Sequence, residues 1–177
     1  MINCWRGLFN SWETQMVQKQ ERTPLVWLLL AGQCDEAFVV RCICQMRRRH
    51  ITVLLVGLYP GPVTGAHGIW LSPDQSLAEM DAAGVSGAAH LLVLPGPDEC
   101  TMQLLLNPRV HELIEMVFAH GGCVAAVSAR TQNLLVRSGL AAPADKQCFL
   151  FQNQHTSGEF IDLLVRQTEL LGSRPPS

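Results

Sequence analysis

Leu25 to Ala31 reads Leu-Val-Trp-Leu-Leu-Leu-Ala and is apolar at every position. A strand with one wet face alternates apolar and polar residues, whereas one without polar alternates is covered on both faces, as the central strands of a parallel sheet are. Such a strand needs helices above and below it, and the next segment supplies one. Asp35 and Glu36 stand where a helix N-terminus favours negative charge, and Phe38, Val39, Cys42, Ile43 and Met46 recur on one face. The segment ends at Arg47-Arg48-Arg49, a basic cluster accounted for by the C-terminal dipole of that helix.

The alternation continues along the chain. Ile51 to Leu58 reads as a second buried strand, and Tyr59-Pro60-Gly61-Pro62 as a loop, because proline cannot donate to a ladder. After a connection through Gly65 and Gly68, Ile69 to Leu71 reads as a short strand. Ser72-Pro73-Asp74 reads as a turn, and Ser76 with Glu79 as the capping box of a short helix. Ala88 to Leu94 is another buried strand, ending at Pro95-Gly96-Pro97 and followed by a loop. Asn107 then caps a helix with Pro108 at its first position, whose apolar face is Val110, Leu113, Ile114, Val117 and Phe118. Gly121 and Gly122 close that helix. A strand from Gln147 to Phe151 and a last helix, capped by Thr156 and Glu159 and burying Phe160, Ile161, Leu164 and Leu171, complete the pattern. Strands alternating with helices predict an α/β domain wound in both directions around a mostly parallel sheet. Residues 23 to 172 form this domain, 173 to 177 a frayed tail, and 1 to 22 an appendage. The appendage carries Ile2, Trp5, Leu8, Phe9, Trp12 and Met16 at roughly helical spacing. It reads as a loosely packed or dimer helix or an over-long translation start; its polar face lacks the Lys and Arg of a membrane-surface helix.

The stretch from Cys123 to Val136 carries the chemistry. Cys123 to Val127 is a buried strand and Thr131 to Val136 a helix, so Ser128 sits at a sharp strand-to-helix turn at the carboxyl edge of the sheet. Open α/β folds bind and react there, and a nucleophile elbow lifts a side chain clear of the sheet at such a turn. A serine hydroxyl becomes a nucleophile only beside a general base. His155 is the only histidine after Ser128 and is the candidate base, although its place beside the last helix cap equally suits a loop residue.

Composition closes off other classes. A net charge of -2 offers no concentrated cation excess for nucleic acid. Seven cysteines without a CxxC pair or metal-ligand spacing suggest neither a disulfide framework nor a metal site, and no cofactor motif is present. Reduced thiols, no apolar run long enough for a bilayer and no signal-peptide pattern lead to an expectation of a cytoplasmic protein. Cys123 and Cys148 read as small core residues, while Cys34 and Cys100, in loops near strand ends, are the candidates for a redox thiol.

Four motifs resemble the ThiJ/PfpI family of the class I glutamine amidotransferase-like superfamily: Trp70 to Leu77, Leu91 to Gly96, Val124 to Ala129, and Thr156 to Phe160, in that order. The resemblance spans roughly Pro24 to Gly172. It implies a flavodoxin-like three-layer α/β/α sandwich, usually a homodimer, with a reactive elbow cysteine, a first-loop carboxylate beside it, a backbone N–H from a Pro-Gly-Gly turn as oxyanion donor and often a later histidine. Carried onto this chain, it makes Asp35 and Glu36 the candidate first-loop carboxylates and has Gly96, Pro97, Ala129 and Arg130 line the pocket, with Arg130 placed to pair with a small anion. The chain departs from that pattern. Ser128 replaces the cysteine, Pro97 replaces the second glycine and has no N–H to give, Arg130 stands where a small residue is usual, and a gap-free match puts Phe38 at the glutamate position. The segment from Leu140 to His155 is also shorter than in typical members. Three losses at one site predict a divergent domain without the family's cysteine chemistry, acting as a ligand-binding or interaction module. A hydrolase using Ser128, and more weakly a thiol redox sensor, are the alternatives.

Overall fold

The computed structural model describes residues 24–83, 89–128, 130–137, 139–140, 148–152 and 155–173. The appendage at 1 to 22, Ala129, and the last four residues lie outside them. Six parallel strands form the central sheet: β1 (Leu25–Leu30), β2 (Thr52–Gly57), β5 (Gln75–Ser76), β6 (Leu91–Leu94), β7 (Cys123–Ala126) and β8 (Cys148–Phe151). Their order across the sheet is β5-β2-β1-β6-β7-β8. The expected flavodoxin-like α/β architecture is present. From Val26 to Leu30, β1 is entirely buried, as its unbroken apolar sequence requires.

Helix α1 (Glu36–Arg48) begins at Asp35, whose Oδ1 accepts the Phe38 amide at 2.9 Å, and ends with Arg47 and Arg48 against the dipole. His50 follows in the left-handed region, with φ of 58°. Helix α6 (Ser157–Gly172) packs on α1, bringing the Phe38 and Phe160 rings to 6.2 Å, and its start is the capping box of Thr156 and Glu159. On the other side α3 (Asp98–Leu105) packs against both α4 (Pro108–Ala119) and α5 (Arg130–Arg137), and α3 and α4 lie on β1, β6 and β7. The short α2 (Leu77–Ala83) opens at Ser76 and Glu79, which exchange the two bonds of a capping box.

Three local features differ from the sequence reading. The segment after Pro97 is the helix α3 rather than a loop, with Pro97 as its N-cap residue and Asp98 and Glu99 in its first turn. The glycine-containing connection folds back as a small antiparallel hairpin of β3 (Val63–Thr64) and β4 (Trp70–Leu71), separate from the main sheet. Cys123, expected as a reduced core thiol, is buried but disulfide-bonded, and the parallel register sets it opposite Cys148 on β8. That register is a long-range property, and isolated cysteine spacing carries no trace of it.

The strand order places the switch of winding direction between β1 and β6, since the chain goes from β1 outward to β2 and β5 and then returns to β6. The loops leaving β1, β6 and β7 therefore lie together at the carboxyl edge, where open α/β sheets form their ligand crevice. Backbone bonds lock the first two of these loops together: the Asp35 amide donates to the Pro95 carbonyl at 2.9 Å.

Candidate functional site around Ser128

The four buried residues of β7 end the strand immediately before the half-buried Val127 and Ser128. Ser128 starts α5 in the manner of a capping residue. Its carbonyl accepts the Thr131 amide at 3.1 Å, and its Oγ accepts the Arg130 amide at 3.2 Å. The hydroxyl proton goes elsewhere, to Oδ1 of Asp98 at 2.5 Å. Asp98 is the first residue of α3, and its Oδ2 meets Nη1 of Arg130 at 3.3 Å. The carboxylate thus bridges the hydroxyl and the guanidinium. Asp98 is partly exposed and Arg130 mostly exposed, with side-chain exposures of 33% and 84%.

Beneath this surface layer two buried threonines tie the helices together. Thr101 Oγ1 donates to the Gly96 carbonyl at 3.4 Å, and Thr131 Oγ1 donates to Thr101 Oγ1 at 3.4 Å. Gly96 is pressed against Cys100: a Cβ added there would lie 2.5 Å from Cys100 Sγ and 3.5 Å from the Cys34 Cα. Only glycine fits that turn. The next residue, Pro97, is extended with φ of -63° and ψ of -178°, and it brings no N–H to the crevice.

A working elbow holds its nucleophile in a strained backbone. Among the described residues, positive φ outside glycine occurs at Gln33 and His50, so Ser128 lies outside that region. The other expected participants are distributed as follows. His155 is exposed and bonds Gln152, its amide to the Gln152 carbonyl at 2.8 Å and its carbonyl from Gln152 Nε2 at 3.2 Å. The described partners of the Ser128 hydroxyl are Asp98 and Arg130, not His155. Asp35 spends its carboxylate on the cap of α1.

Glu36 is buried and faces the β3–β4 hairpin rather than serving the helix dipole alone. Its Oε1 accepts the amides of His67 at 2.7 Å and Ile69 at 3.4 Å, and its Oε2 lies 3.2 Å from His67 Nδ1. A Cβ on Gly65 would fall 2.6 Å from Oε2, so glycine there leaves the carboxylate its place. Burial pushes the Glu36 carboxyl up, but these hydrogen bonds and one from its own amide outweigh burial and hold it at about 2.

The two candidate redox thiols are buried. Burial, then the neighbouring Glu36 carboxylate, pushes Cys34 up to about 11; burial pushes Cys100 up to about 12. A redox-sensing thiol needs exposure and thiolate character, and neither residue has them. Among the described residues no cluster of three or more His, Cys, Asp or Glu could hold a metal ion, and no helix is long and apolar enough to cross a membrane.

Sequence reasoning missed Asp98, the residue that dominates the site. A signal was present: Pro97-Asp98-Glu99 after a strand matches a helix start with an acidic first turn.

The DJ-1/PfpI family model matches residues 25–147. Among solved structures, a DJ-1 superfamily protein from Salmonella typhimurium is 21% identical with a TM-score of 0.66, the match covering 84% of this chain and 91% of that one. Drosophila melanogaster DJ-1beta is 19% identical with a TM-score of 0.68, covering 86% and 92%. Oxidized Toxoplasma gondii DJ-1 is 14% identical with a TM-score of 0.66, covering 85% and 96%. At these identities the structural likeness speaks for the fold.

Proposed function

The chain therefore belongs to the DJ-1/PfpI family, and we propose that it is a divergent member without cysteine-based chemistry that serves as a ligand-binding or interaction module. The observation carrying this reading is the commitment of the Ser128 hydroxyl in both directions, its proton to Asp98 and its lone pair to the Arg130 amide. A hydroxyl held by the start of its own helix is a structural cap. The missing N–H at Pro97 points the same way, because losing one oxyanion donor costs on the order of a hundredfold or more in rate. The test is intact mass after exposure to a fluorophosphonate, with Ser128→Ala as control. The reading expects no Ser128-dependent labelling; stoichiometric labelling lost in Ser128→Ala overturns it.

One observation favours the hydrolase reading in an altered form: Asp98, not His155, stands within reach of Ser128 Oγ as a base. In that reading Asp98→Asn abolishes fluorophosphonate labelling of the wild-type serine, whereas His155→Ala leaves it intact.

Interaction with a second copy is supported by apolar side chains left in solvent, with Ile69 and Trp70 of the hairpin 57% and 74% exposed and Val40 exposed on α1. A cytoplasmic setting is supported by the four free thiols among the described residues, while the Cys123 disulfide weighs against it. Residues 23 to 172 act as one unit in this reading, with 1 to 22 appended.

A further inference from the structure

Arg130 does not await an anion; it already holds one. The Asp98 carboxylate, on the first residue of α3, is gripped by the Ser128 hydroxyl on one oxygen and the Arg130 guanidinium on the other, both from the start of α5. This is the donor set by which a protein receives a carboxylate or a phosphate: a hydroxyl and a guanidinium directed at two oxygens of one group. The occupant is the protein's own side chain, brought in on the first residue of α3. We propose that Asp98 is a built-in competitor, an autoinhibitory contact that fills an oxyanion site formed by Ser128 and Arg130. The proposal rests on reading this crevice as a ligand site and adds what regulates it.

Two features make the contact displaceable. Arg130 is mostly exposed and Asp98 is one-third exposed, so the ion pair is screened by water and salt and is intrinsically weak. Beneath it, the buried Thr101–Thr131 contact holds α3 against α5 without help from the ion pair. The helix starts that carry the donors therefore keep their places when the carboxylate is removed. A tethered group competes at an effective concentration in about the millimolar range or above, so a free oxyanion binds the wild type only weakly.

The experiment is a thermal-shift titration with inorganic phosphate and, separately, with acetate, against chloride at matched ionic strength. It compares the wild type, Asp98→Asn, Asp98→Ser and the double variant Asp98→Asn/Arg130→Ala. The expected result is saturable stabilisation of both single variants at an apparent Kd at least tenfold below that of the wild type, lost in the double variant. Response to phosphate alone or to acetate alone identifies which oxyanion fits. The proposal is overturned if neither single variant gains saturable stabilisation over chloride, or if the double variant responds as well as Asp98→Asn. Fluorophosphonate labelling of wild-type Ser128 refutes the non-catalytic reading instead, so the two failures are distinguishable. Asp98→Ser, which keeps a polar residue at the start of α3, keeps the test open should Asp98→Asn fold poorly.

Discussion

Replacing Gly96 by alanine puts a methyl group where the fold has no room for it. The new Cβ would stand 2.5 Å from Cys100 Sγ and 3.5 Å from the Cys34 Cα, against about 3.5–4.0 Å for a relaxed contact between carbon atoms. Both cysteines are fully buried, and the Cys100 Cβ is also in the way, so rotating the thiol does not clear the space. Relief requires moving the start of α3, which the Thr101 bond to the Gly96 carbonyl ties to the same turn. Overpacking of this kind costs about 1–3 kcal/mol, and a backbone-limited clash belongs near the top of that range. For a chain of this size the melting temperature should fall by roughly 6–12 °C. Urea unfolding followed by far-UV circular dichroism gives the free energy directly. A second variant isolates the cause: Cys100→Gly removes the opposing Cβ at a cost of about 1 kcal/mol for glycine inside a helix. The double variant should then be more stable than the sum of the single effects by about 1–2 kcal/mol. If Gly96→Ala stays within about 0.5 kcal/mol of the wild type, or if the two changes simply add, the packing argument is wrong.

Two further outcomes follow from the titratable groups. Glu36 is held at about 2 in the fold against an ordinary value of 4.5, so its contribution to stability is complete above pH 4.5 and disappears as pH falls toward 2. Melting temperatures across that window should converge for wild type and Glu36→Gln, with some acid sensitivity left in both from Glu79 and Glu159, whose carboxyls are shifted the same way; a gap independent of pH refutes the assignment. Among Cys34, Cys42, Cys44 and Cys100, only Cys44 is exposed. Native N-ethylmaleimide labelling with peptide mass mapping should modify Cys44 ahead of Cys34, Cys42 and Cys100, and labelling of Cys34 or Cys100 at a comparable rate contradicts their burial.

The central strands of the main sheet were legible because a parallel strand covered on both faces writes its burial into every residue, as Leu25 to Leu30 and Leu91 to Leu94 do; the two-residue edge strand β5 carries no such record. The caps at Ser76, Asn107 and Thr156 were legible because capping is a contact between near neighbours in sequence. What stayed hidden lacks either property. Helix α3 buries Cys100, Thr101, Leu104 and Leu105, a face half made of residues that do not announce a helix. Strand β3 is two residues long, too short for any period to show, and the antiparallel pairing that joins it to the expected strand at Ile69 to Leu71 is not a local property. Ser128 was found from its strand-to-helix setting, but its partner lies thirty positions away on another element. The Ser128 hydroxyl meets Asp98 rather than His155 or the first-loop carboxylates, a contact set by the sheet order that puts β6 beside β7. Glu36 shows the same limit, since its task depends on Gly65 leaving space for a carboxylate.

The position of β1 in the middle of the sheet bears on how the chain is made as well as on how it is built. Val26 to Leu28 pair with β2 on one side and with Leu91 to Val93 on the other, so the most apolar segment of the protein reaches the ribosome exit long before its second neighbour exists. Contacts this distant in sequence form slowly, and a half-paired strand of this composition is a template for self-association in the interval. Folding yield during synthesis, more than the stability of the finished domain, is where this arrangement exposes the chain, through the still unpaired side of β1.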